Sequence, residues 1–86
     1  MSNEYRLYAD MLEQFVDMED SDFLGQLGLS IRTWKDFPYL DDLRVAYDHL
    51  NEGKSHYARH IILGVVGELL AEKQEWTAEE ILKREG

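Results

Sequence analysis

The stretch NEYRLYADMLEQFVDM, residues 3–18, decides the fold class. With successive side chains about 100° apart, Leu7, Tyr8, Met11, Leu12, Phe15 and Met18 fall on one broad face, and Asp10, Glu13, Asp17 and Asp20 line the opposite one. Apolar residues recurring at intervals of three and four require a helix, because a strand would scatter them over both of its faces. The period returns further on. Leu40, Leu43, Ala46, Tyr47 and Leu50 share a face while Asp41, Asp42 and Asp48 point away, and Asn51-Glu52-Gly53 supplies the stop. From Ile61 to Leu70 apolar residues cover most of a helical circumference, which predicts a helix at the buried centre of the domain.

The segments between these helices carry turn and cap chemistry. Ser21 is positioned to cap a short helix through Leu27, with Gly28 at its C-terminal side. Ser30 starts a further turn of helix reaching Phe37, and the alternation in Leu29–Trp34 leaves a short strand as the alternative. Pro38 disfavours helical geometry at Phe37 and suits the first turn of a new helix, so a boundary is expected near Asp36–Tyr39. A third helix starts after Ser55. Thr77-Ala78-Glu79-Glu80 fits a capping box, flanked by Trp76 and Ile81 at the positions of a hydrophobic staple, and predicts a separate last helix to Arg84. The chain therefore reads as all-α, a compact single-domain bundle of four or five helices spanning residues 1–86.

Composition supports one packed core: 44% hydrophobic and 12% aromatic residues are too apolar for a disordered segment, despite 31% charged ones. The absence of cysteine removes disulfides, thiolate nucleophiles and sulfur-dependent metal sites, and fits a reducing compartment. The N-terminus lacks the basic and apolar regions of a secretory signal, and Ile61–Ala71 is too short to span a bilayer and contains Glu68; the expected location is the cytoplasm. The formal charge is −9 and unevenly spread: residues 1–22 hold seven acids against Arg6 alone. Such a field repels nucleic acid and anionic membranes and attracts a basic protein surface.

Motifs for chemistry are weak. His49, His56 and His60 lie close in sequence, and His56 and His60 are four apart on one helix, but no third ligand stands at a diagnostic spacing and Tyr57-Ala58-Arg59 lacks the glutamate of a metalloprotease helix. A calcium loop begun at Asp17 would need glycine sixth and glutamate twelfth, where Asp22 and Gly28 stand. Gly25/Gly28 and Gly64/Gly67 lack the lysine–serine pair and strand-to-helix setting of phosphate-binding loops. His60, Gly64, Gly67 and Ala71 instead fall on one narrow helix face that lets another helix approach closely. A helix of the same chain is the expected neighbour, with a dimer seam as the alternative. Ser2, Ser21, Ser30 and Ser55 all fall at expected helix starts, and carboxylates are too abundant for any pair of them to single out an acid and a base. No enzymatic activity, cofactor or metal is expected.

Residues Ile61–Glu85, an apolar helix, a polar turn and then Thr-Ala-Glu-Glu-Ile, resemble the opening two helices of helix-turn-helix and winged-helix domains. The resemblance covers under a third of the chain. The recognition helix it implies would begin where Gly86 stands, and no basic stripe accompanies it, so direct DNA binding is not expected.

What remains is a surface. The expectation is a small acidic protein-binding module of the inhibitor, immunity-protein or antitoxin type, docking on a basic protein partner through Asp10, Glu13, Asp17, Glu19, Asp20 and Asp22. One alternative is a structural homodimer or accessory subunit, using Trp34, Phe37 and Tyr39 or the small-residue helix face. The other is a metal-binding protein built on the histidines.

Overall fold

The computed structural model describes the backbone of residues 2–85 and the side chains of residues 5–71. Four helices follow one another: α1 (Ser2–Val16), α2 (Asp20–Thr33), α3 (Leu40–Asn51) and α4 (Ser55–Glu85). There is no strand among the described residues, and no helix among them is long and apolar enough to cross a membrane. Each helix packs on its neighbour in sequence, and α4 closes the ring by packing along α1 as well as α3. The start of α4 lies beside the end of α1, so these two helices run in opposite directions.

The core is drawn from all four helices. Leu12, Phe23, Leu27, Leu43, Ile62 and Leu69 are its largest fully buried side chains. In α1 the buried stripe is Ala9, Leu12 and Phe15, with Tyr5, Tyr8 and Val16 at its edges. Leu7 and Met11, expected on that face, are 60% and 38% exposed. The true stripe is narrower than the apolar pattern and is centred on Leu12.

Helix α2 corrects the reading of residues 20–37. It passes through Gly25 and Gly28 to Thr33, and Phe23, Leu27 and Ser30 form its buried face. The physical reason is that glycine ends a helix when the chain turns left-handed there, and among the described residues only Gly53 has a positive φ, +84°. Gly28 serves packing instead. A Cβ on it would lie 3.2 Å from Cε1 of Tyr47, so its missing side chain lets α3 come close. Ser21 and Ser30, expected as caps, both lie inside this helix. The expected stop of α3 is present in full. Gly53 N–H donates to the Leu50 carbonyl and Lys54 N–H to that of His49, closing the helix around a left-handed glycine.

Helix α4 departs from its expected place at the centre of the domain. Ala58, Ile62, Val65, Val66 and Leu69 are buried, but His60, Leu63, Gly64, Gly67, Leu70 and Ala71 are exposed. Among the described residues no helix seats on the small-residue face, and a Cβ on Gly64 or Gly67 would meet nothing within 4 Å. The three shorter helices leave one side of α4 uncovered. Helix α4 also runs unbroken to Glu85, so the turn expected before Thr77, and with it the helix-turn-helix resemblance, has no counterpart. The capping-box and staple side chains Thr77, Glu80, Trp76 and Ile81 lie outside the described side chains.

Trp34, Phe37 and Tyr39, considered as outward anchors, are spent internally. Tyr8 packs on Trp34 and Phe37 with ring centroids 4.7 and 4.8 Å apart, and Tyr39 adds an edge contact to Phe37 at 6.0 Å. Phe37 is buried, and Trp34 and Tyr39 are partly so. This cluster holds the α2–α3 connection against α1.

Candidate functional site

The acidic residues singled out in the sequence divide into two groups with different fates. Asp10, Glu13 and Asp17 lie along α1 and just past its end, on the side away from Leu12, and all three are exposed. None makes an ion pair among the described residues. Glu19, Asp20 and Asp22 gather at the start of α2, where carboxylates face the positive end of the helix dipole.

Asp20 is the exception among the six. Its Oδ1 accepts a hydrogen bond from Ser55 Oγ at 2.7 Å and one from Arg59 Nη2 at 2.6 Å. Ser55 foremost, and Arg59 after it, hold the Asp20 carboxyl below the usual aspartate range. Arg59 does more than pair. Its Nη1 donates to the Val16 carbonyl, one of the orphan acceptors at the end of α1; its Nε donates to Ser55 Oγ at 3.0 Å; and its guanidinium lies 4.8 Å from the centroid of Phe23. Asp20 and Arg59 therefore fasten the corner where α1, α2 and α4 meet. No sequence pattern announced this, because the partners are 39 residues apart.

Arg59 being turned inward, it leaves Glu13 and Asp17 unneutralised beside it. These two acids, with Val16, form the α1 wall of an open groove of about 510 Å³, and His56, Arg59, His60 and Leu63 form its α4 wall. The groove opens directly onto the uncovered face of α4. The sequence did place the acids outward; it did not reveal that an exposed apolar strip runs alongside them. A second groove, between α2 and α3, is lined by Leu24, Ile31, Arg32, Arg44, Tyr47 and Asp48 among others.

The histidines do not converge. His56 and His60 stand on the exposed side of α4, whereas His49 lies in α3 with its ring 4.6 Å from that of Tyr57. His49 Nδ1 is buried without a hydrogen bond, its nearest acid being Glu52 Oε1 at 4.0 Å. Among the described residues no three His, Cys, Asp or Glu side chains come together as a metal site. No protein-family model, curated protein or solved structure matches this chain.

Proposed function

We propose that this chain is a non-catalytic binding module that docks on a basic protein through the acidic side of α1, as an inhibitor or antitoxin-type protein would. The observation that carries the reading is the row Asp10, Glu13 and Asp17: three exposed carboxylates with no ion pair among the described residues, within the segment that holds most of the −9 charge. Exposed like charges add nothing to the fold, yet their field speeds the encounter with a cationic surface. Glu19 and Asp22 extend the row at the start of α2. Asp20 contributes its field but has its carboxylate engaged within the chain.

The test is reversal of Asp10, Glu13 and Asp17 to lysine, with capture from the native host by wild type and variant compared by quantitative mass spectrometry. The expected result is a basic protein retained by wild type, eluted as salt is raised, and lost from a variant that unfolds at an unchanged temperature. Equal capture by both would refute the reading. A second reading, self-assembly into a homodimer or larger complex, draws on the uncovered face of α4. The histidine-based metal reading gains no support from the separation of His49 from His56 and His60.

A further inference from the structure

Helix α4 carries a feature that its own fold does not use. Gly64 and Gly67 stand in the interior of a helix, where glycine is less favourable than alanine. Neither makes room for anything among the described residues, since a Cβ at either would meet open space. Gly28 shows the contrast: there the missing side chain admits Tyr47. Around the two glycines lie the exposed Leu63, Leu70 and Ala71, so the bare stretch is flanked by apolar side chains, 50% exposed at Leu63 and 38% at Leu70. The shape is that of a seat for a helix: small residues at i and i+3 bring the backbone of a partner close, and leucines beside them pack against its flank.

The charge around the seat selects the occupant. One edge is the groove in which Glu13 and Asp17 face His56, His60 and Leu63, and Arg59, which also lines it, is bonded to the Val16 carbonyl and Asp20. Those carboxylates are left to pair with an incoming cation. A second copy of this chain would bring its own net charge of −9 to the same place. Resting on the reading of α1 as the docking side, we infer that the exposed face of α4, with the α1–α4 groove, seats an amphipathic basic helix of the partner. Its small or apolar face lies on Gly64 and Gly67, and its lysines or arginines reach Glu13 and Asp17.

A synthetic helical peptide of leucine, alanine and lysine with one apolar and one cationic side, and a scrambled peptide of identical composition, serve as probes against the isotope-labelled protein. Amide shift changes are expected at Glu13, Asp17, Leu63, Gly64 and Gly67, with the amphipathic peptide bound at least about tenfold more tightly than the scrambled one. Gly64→Gln with Gly67→Gln adds bulk where there is space and leaves the helix intact. It should abolish that tenfold preference without lowering the unfolding temperature. The inference is overturned if both peptides bind alike, if the shifts map to the α2–α3 groove, if the glutamine variant keeps the preference, or if the protein dimerises through this face in sedimentation. The reversal of Asp10, Glu13 and Asp17 separates the two readings. Binding that falls with this reversal but ignores the glutamines leaves the proposed function standing and removes the helical seat.

Discussion

Replacing glycines one at a time by alanine tests the packing of this bundle, because three environments predict different outcomes from one chemical change. At Gly64 and Gly67 an added methyl group meets nothing within 4 Å, so each substitution should collect the full benefit of a less flexible unfolded chain and a better helix former, about 0.5–1 kcal/mol. Neither added methyl meets a neighbour among the described residues, so the double variant should gain about 1–2 kcal/mol. In a domain of this size that corresponds to an increase in Tm of roughly 4–8 °C per kcal/mol. At Gly28 the new methyl would sit 3.2 Å from Cε1 of the half-buried Tyr47, and the ring must yield by a few tenths of an ångström. The helical gain is offset there and the net change should be near zero or unfavourable. Gly53, at φ +84°, should lose about 1–2 kcal/mol, since a Cβ is strained in that conformation. Urea titration with the m-value held constant gives each difference directly. If Gly64→Ala and Gly67→Ala lower the midpoint as Gly53→Ala does, that face of α4 is packed in the folded protein, and the case for an open seat collapses.

Other expectations follow from the corner and the core. Arg59→Met should destabilise by about 1–2 kcal/mol, because the Val16 carbonyl loses a charged donor, and unfolding in urea measures it. Asp20 gives a pH signature: its carboxyl is held below the usual range by Ser55 and then Arg59, so its contribution is present above the unfolded-state value and lost as pH falls through the lower folded-state value. Thermal scans should show wild type and Asp20→Asn separated at neutral pH and converging in strong acid; a constant gap would remove Asp20 as the cause. Phe23→Ala, which empties a fully buried site beneath the Arg59 guanidinium, should cost about 3–5 kcal/mol by the same titration.

The parts of the fold that were legible in the sequence are those set by local rules. The periodicity of residues 40–50 placed Leu43, Ala46 and Leu50 in the core, and Gly53 marked the end of α3. Pro38 marked the break before it. What failed depended on neighbours. Gly28 reads as a stop until Tyr47 is beside it, and Leu7 and Met11 read as core until three helices prove too few to cover α1 on that side. The outward set of Asp10, Glu13 and Asp17 followed from the helical period alone. The engagement of Asp20 did not, because Ser55 and Arg59 reach it across 35 and 39 residues and no local pattern encodes such a pairing.

The closing position of α4 in the ring has a consequence for how the chain is made. Ile62, Val65, Val66 and Leu69 are the counterparts of the apolar faces of α1 and α3, and they come last among the core residues. At a synthesis rate of about 5–20 residues per second, roughly one to four seconds separate the completion of α3 from that of Leu69. Through that interval, and until residues 62–69 clear the ribosomal tunnel, Leu12, Phe15, Leu43 and Leu50 have only α2 to pack on and lack the α4 surface that completes their burial. Apolar surface left open in this way is what makes incomplete chains prone to associate, and the acids at residues 4–22, made before it, oppose that association by like-charge repulsion.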